Sequence, residues 1–190
     1  MQSDPTLRAL REEFKRRPLL AMPVAGALAW AGVAAFGLVL PARQAALALF
    51  VCVGAIFWLA VLIGPLVGDP VIRRGRPSGE MDRLFFQCVL MANLVWAIAI
   101  PFYLTSPSSL PLSVGVLTGL MWIPLSWIIE HWIGLFHAIA RTILVVATWY
   151  LFPELRFVAI PIVIVALYLI SIAILVRRHR AALSAAPVLA

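Results

Sequence analysis

Long apolar runs separated by short polar breaks fill the chain from residue 19 onwards. A helix needs about 20 apolar residues to cross a hydrocarbon core, and six runs meet or nearly meet that length. They cover residues 19–40, 44–68, 84–105, 110–129, 135–152 and 157–176. The runs do not alternate between apolar and polar positions, and in lipid each backbone polar group needs a partner within its own segment. The pattern therefore predicts an all-α transmembrane bundle of six spans.

Most of the polar breaks are very short, so consecutive helices should be antiparallel neighbours. Only the break at 69–83 has room for structure of its own. We divide the chain into a basic tail at 1–18, a six-helix domain at 19–176 and a second basic tail at 177–190. In the first tail, Leu7, Leu10 and Phe14 share one helical face. This predicts either a short helix on the membrane surface or a frayed tail that only sets orientation.

Charge gives the orientation. The formal net charge is +7, which by itself would suit a nucleic-acid partner. The basic residues instead cluster at alternate breaks: twelve lie in the two tails and the 69–83 loop, against Arg43 and Arg156 at the other breaks. The positive-inside rule then places both termini in the cytoplasm, with the basic segments near anionic lipids. We expect a protein of the cytoplasmic (inner) membrane and no nucleic-acid partner.

Composition excludes a soluble domain. Hydrophobic residues make up 64% of the chain and charged residues 12%, about half the charged share of a soluble protein. The mean hydropathy is +1.04.

Arg141 is the only formally charged residue within the six spans, and a charge at the bilayer centre costs about 2.5–3.5 kcal/mol on insertion scales. If the chain turns near residues 133–134, Glu130 lies level with His137, and Ser126 lies level with Arg141. With His131 beside them, these residues could form a polar vestibule that binds anions and exchanges protons. The alternative is that Arg141 extends to the interface and pairs with Glu130.

Other polar candidates are few. Gln87 and Asn93 lie on the third span, six residues apart and so on different faces; we expect Asn93 to bond a neighbouring helix or to line a pathway. Pro65, Pro101, Pro124 and Pro161 lie within spans or near their ends and should bend them. No motif for a nucleophile, a phosphate loop or a metal centre is present, so we expect no cofactor and no metal.

The stretch 82–170 resembles a family of small bacterial multi-pass membrane proteins of unknown function. The resemblance is strongest in RTILVVATWYLFP at 141–153 and RFVAIP at 156–161. It implies a bacterial membrane protein and carries no activity.

The sequence favours transport or conduction of a small solute or ion through the bundle. A non-catalytic accessory or scaffold protein is the main alternative. A third is an intramembrane enzyme acting on a lipid, with Glu130 and His137 as acid and base. Small residues along the first span allow close helix contact, within one chain or in a homo-oligomer.

Overall fold

The computed structural model describes residues 5–72 and 79–184. Arg73, Arg74 and Arg76, which supply most of the basic charge of the 69–83 loop, lie outside these ranges, as do both chain ends. Within the described residues the chain is helical and contains no strand. The all-α prediction is confirmed.

Ten α-helices form within the described residues, and 3₁₀ turns link several of them. They are α1 (Pro5–Lys15), α2 (Ala21–Val39), α3 (Ala42–Gly54), α4 (Ile56–Ile63), α5 (Glu80–Leu94), α6 (Trp96–Thr105), α7 (Leu110–Leu117), α8 (Trp122–Ile129), α9 (Ile133–Leu151) and α10 (Arg156–Ser184).

The structure has five or six candidate spans where the sequence predicts six. Five helical stretches are long and apolar enough to cross a membrane: Ala21–Val39, Glu80–Thr105, Pro107–Ile129, Ile133–Leu151 and Pro153–Ser184. A sixth arises if Ala42–Gly54 and Ile56–Val67, which meet at a bend of 46°, count as one span. Large apolar side chains cover the outside of these helices; Leu66 is 85% exposed and Leu104 is 73% exposed. Such a surface suits hydrocarbon and not water.

Helix α2 packs tightly against α10 at two glycines. A Cβ on Gly26 would lie 2.5 Å from Cζ of Tyr168, and a Cβ on Gly37 would lie 2.4 Å from the carbonyl oxygen of Phe157. The small residues of the first span therefore make a close contact inside the chain.

The connection that follows α1 meets the last described helix at one end of the bundle. Arg178 near the end of α10 donates from Nη2 to the carbonyl oxygen of Arg17, at 3.1 Å. We call this the basic end. At the opposite end Arg156 donates to Ser108 Oγ at 2.9 Å and to the carbonyl oxygen of Trp149 at 3.1 Å.

Helix α1 packs on the protein at the basic end. Phe14 is 2% exposed and lies 6.2 Å, between ring centroids, from Phe85 of α5. The guanidinium carbon of Arg11 sits 3.6 Å from the ring centroid of Trp127 on α8. Helix α1 thus contacts α5 through Phe14 and α8 through Arg11.

Three spans are interrupted near their midpoints: at Ala55, at Val95, and over a 3₁₀ turn at Thr118–Met121. Two interruptions follow a side chain that bonds the carbonyl four residues back. Asn93 Nδ2 donates to Val89 O at 2.8 Å, and Thr118 Oγ1 donates to Val114 O at 2.7 Å. Such bonds compete with the helical ladder and bend helices.

Candidate functional site

A cavity that is partly open to the outside lies where the three interruptions meet; its empty space, including the space at its open mouth, is about 730 Å³. Each interruption contributes wall residues, and α10 closes the back. The walls include Val53, Gly54, Asn93, Trp96, Thr118, Trp122 and Tyr168. They are mostly apolar with a few polar groups, as is usual for small-molecule sites.

The cavity opens sideways between the second and third spans. Gly54 and Asn93 both line it and are both exposed on the surface of the bundle. Here α3–α4 and α5–α6 approach each other mainly through aromatic pairs, such as Phe50 with Trp96 at a centroid distance of 5.1 Å. A molecule dissolved in the membrane would reach this opening without crossing a polar surface.

A second cavity, also partly open, continues from the first towards the basic end; its empty space, including the space at its open mouth, is about 480 Å³. The two share walls at Met22, Pro23, Phe85 and Leu125. The two spaces therefore lie in series, with these apolar side chains between them.

An ion pair lines the second cavity close to α1. Arg17 Nη2 donates to Asp82 Oδ2 at 2.8 Å, and Nη1 makes a second bond to Oδ1. The two side chains are 13% and 20% exposed. Nearby, Asp69 Oδ2 accepts from the backbone N–H of Ala21 at 3.0 Å, which fixes the start of α2. The bidentate pair joins the α1–α2 connection to the start of α5.

Arg141 lies fully buried behind the first cavity. It stands near the middle of α9, about 12 Å from the start of that helix, and is 0% exposed. Its Nε donates to the carbonyl oxygen of Gly115 at 2.6 Å, Nη2 to Thr118 Oγ1 at 2.9 Å and Nη1 to Tyr168 Oη at 3.2 Å. Trp30 contributes a ring whose centroid is 5.3 Å from the guanidinium carbon.

No carboxylate among the described residues forms an ion pair with Arg141. Removing one partner of a buried pair costs about 3–5 kcal/mol because a buried charge is left uncompensated. At Arg141 the charge is instead stabilised by a carbonyl, two hydroxyls and aromatic rings. The positive charge of Arg141 can therefore attract an anion in the neighbouring cavity.

Two of the groups that bond Arg141 also line the cavity. Thr118 Oγ1 accepts from Arg141 and gives its own proton to Val114 O. Tyr168 Oη can only accept from the guanidinium, since arginine has no acceptor. Within the described part of the chain the Tyr168 hydroxyl donates its proton to no acceptor. The Tyr168 hydroxyl is therefore a donor next to the cavity, polarised by the charge behind it.

His137 lies behind the cavity wall. Ser171 Oγ donates to Leu167 O at 2.8 Å, so it accepts from His137 Nδ1, also at 2.8 Å. The His137 ring stacks on Trp122 with a centroid distance of 4.0 Å. In the described structure its Nε2 has no hydrogen-bond partner.

Glu130 lies away from Arg141, at the basic end. It accepts from Arg11 at 2.9 Å and from Lys15 at 2.7 Å. The hydrogen bond from Lys15 is the main cause that lowers the pKa of Glu130. The pKa of Lys15 is raised, first by its bond to Glu12 and then by its bond to Glu130. The expected pairing of Glu130 with Arg141 is replaced by these contacts to α1.

The expected convergence differs from the structure because the α8–α9 turn comes earlier than residues 133–134. Glu130 adopts a left-handed conformation, with φ of 48°, and ends α8 there. Gly134 consequently lies against Ser126, and Gly119 lies against Arg141. Arg141 is thus opposite a residue two helical turns deeper than Ser126.

The remaining predicted residues have separate places. Ser126 Oγ donates to the carbonyl oxygen of His131 at 2.7 Å, and His131 Nδ1 accepts from the N–H of Ile133 at 3.2 Å, so both stabilise the turn. Burial, and next the charge of Arg178, lower the pKa of His131. Gln87 is exposed, and Asn93 lines the cavity.

Sequence reasoning missed Thr118 and Tyr168. Tyr168 did carry a signal, because tyrosines in membrane helices prefer the interfaces and this one falls in the middle of the last apolar run.

The fold and the site together indicate an integral membrane protein with a solute-sized cavity at interrupted helices. The chain belongs to a family of unknown function, DUF7010, whose profile matches residues 7–178. The match is wider than the stretch in which the sequence showed a resemblance, and its description names no activity. No curated protein and no solved structure was found to match the chain.

Proposed function

We propose that the protein binds a small solute in the central cavity and moves it across the membrane. The observation that carries this proposal is the meeting of three interrupted spans around one cavity. In transporters, helices interrupted near the midplane supply substrate sites, because the freed backbone and nearby polar groups face the ligand.

We further propose that the basic end faces the cytoplasm of a bacterial cell. The support is the twelve-to-two distribution of Lys and Arg. On this orientation the central cavity opens sideways to the membrane, and α1 and the Arg17–Asp82 pair lie on its cytoplasmic side. A path from the cavity to the cytoplasm then requires α1 to move and the ion pair to separate. Reporter fusions at both termini test the orientation, and a periplasmic signal from either one contradicts it.

The cavity favours transport over the two alternatives. An accessory or scaffold protein has no need of a solute-sized space at its centre. A lipid enzyme using Glu130 and His137 needs both groups at one opening, whereas Glu130 is engaged by α1 and His137 lies behind Trp122.

The test is uptake into proteoliposomes of three labelled solutes that share a phenyl group and do not cross bilayers: benzenesulfonate, phenyltrimethylammonium and phenyl glucoside. We expect saturable, protein-dependent uptake of at least one. Ala92→Phe, which fills the cavity wall, should abolish it. Ala97→Phe adds the same ring at an exposed position of α6 and should leave uptake unchanged. Absence of uptake of all three, or equal effects of the two variants, overturns the proposal.

A further inference from the structure

We infer that the solute is a small organic monoanion with an apolar body, held by the Tyr168 hydroxyl in the field of Arg141. This inference rests on the proposed function, since it names the class of solute for the same cavity.

Charge is the first support. The centre of the bundle holds one guanidinium, which is 0% exposed, and no described carboxylate pairs with it. An anion in the adjoining space completes the missing pair, whereas a cation would meet an unscreened like charge. Salt screens buried charges weakly, so this preference acts at physiological ionic strength.

The hydrogen-bond geometry is the second support. Tyr168 is 7% exposed, lines the cavity and accepts from Arg141 Nη1 at 3.2 Å. An anionic oxygen that accepts from Tyr168 Oη lies about 6 Å from the guanidinium, where a unit charge at an effective dielectric of about 20 raises affinity about a hundredfold. The close contact of Gly26 with the Tyr168 ring holds the hydroxyl in position.

The cavity walls indicate the chemistry of the rest of the solute. Apart from Asn93, Thr118 and Tyr168, the cavity side chains are apolar or aromatic, and the side opening faces hydrocarbon. A carboxylate or sulfonate on a phenyl or short alkyl group matches this distribution. A highly hydroxylated or multiply charged solute would leave its polar groups without partners.

The test measures equilibrium binding of labelled benzenesulfonate, phenyl glucoside and phenyltrimethylammonium to the detergent-purified protein. Wild type should prefer the sulfonate. Tyr168→Phe keeps the ring and removes the donor, so sulfonate binding should weaken about 10- to 100-fold, the usual worth of a hydrogen bond to a charged group. Tyr150→Phe, at a residue 71% exposed, is the matched control and should change nothing.

Arg141→Gln should remove the preference for the anion, provided that the variant elutes as a folded, monodisperse species. If Arg141→Gln does not fold, the result for Tyr168→Phe decides the test. Displacement of the sulfonate by oleate, with oleyl alcohol as the neutral control, shows whether such anions come from the lipid phase or from water. Preference for phenyl glucoside or phenyltrimethylammonium overturns the inference while leaving the transport proposal intact. Unchanged sulfonate affinity in Tyr168→Phe overturns it as well.

Discussion

Gly134→Ala tests the observed packing of α8 against α9. A Cβ at this position would lie 2.4 Å from the carbonyl oxygen of Trp122 and 2.9 Å from the backbone nitrogen of Ser126. Both are backbone atoms, so no side-chain rotation relieves the clash and the two helices must separate. In the alignment predicted from sequence, Gly134 would instead occupy an open turn, where alanine is tolerated.

The expected magnitude follows from two opposed effects. Overpacking of a well-packed contact costs about 1–3 kcal/mol or more, and replacing a helical glycine by alanine gains back up to about 1 kcal/mol. A net loss of about 1–2 kcal/mol lowers the melting temperature by about 2–8 °C in a chain of this size.

The assay is thermal unfolding in detergent of proteins that carry Cys52→Ala, followed by a thiol-reactive dye. The dye then reports the exposure of Cys88, which is 6% exposed in the folded protein. Gly54→Ala is the matched control, because a Cβ there meets nothing within 4 Å. Scan rate must be held constant because unfolding is commonly irreversible. A melting temperature for Gly134→Ala equal to that of Gly54→Ala would refute the packing and the position of Arg141 that follows from it.

Three further outcomes are expected. Gly37→Ala should lower the melting temperature similarly, because its Cβ would meet the carbonyl oxygen of Phe157 at 2.4 Å. Asp82→Asn removes an ion pair worth about 1 kcal/mol. In a protein with a cysteine at position 125 in place of Leu125, this substitution should increase the rate of labelling by a water-soluble thiol reagent about fivefold. The folded protein lowers the pKa of His131 below its ordinary value of 6.5. The neutral imidazole therefore contributes its full stabilisation above pH 6.5, and this contribution is lost as the pH falls through the lower pKa of the folded state. We expect His131→Gln to make the melting temperature less dependent on pH between pH 7 and 5.

The sequence predicts the spans well because one solvent requirement dominates them. A run of apolar residues long enough to cross hydrocarbon has few alternatives to a helix, and the helices coincide with the runs. The interruptions at Ala55, Val95 and Thr118 depend on local bonds instead. The prolines do not mark these interruptions: Pro101 and Pro161 lie inside helices, and Pro124 is the third residue of α8, after the 118–121 turn.

The grouping of polar residues was harder to predict because a small error in the turn propagates along both helices. Placing the turn at residues 133–134 instead of 130–132 shifts each partner across the α8–α9 pair. Glu130 also has cationic partners other than Arg141, and residue spacing within the α8–α9 hairpin cannot reveal them. Arg11 and Lys15 are more than a hundred residues away in the chain, and they reach Glu130 only because α1 folds back onto α8.

The residues that interrupt the spans are also those that make the cavity polar. Asn93 and Thr118 each divert a backbone carbonyl of their own helix, and both line the cavity. Thr118 additionally accepts from Arg141, so the charge, the interruption of the fourth span and the cavity wall meet in one side chain. A bundle under selection for stability alone gains nothing from a buried guanidinium, since an apolar side chain of similar volume serves as well or better there. The charge has a physical purpose when the adjoining cavity is filled by something that carries the opposite one.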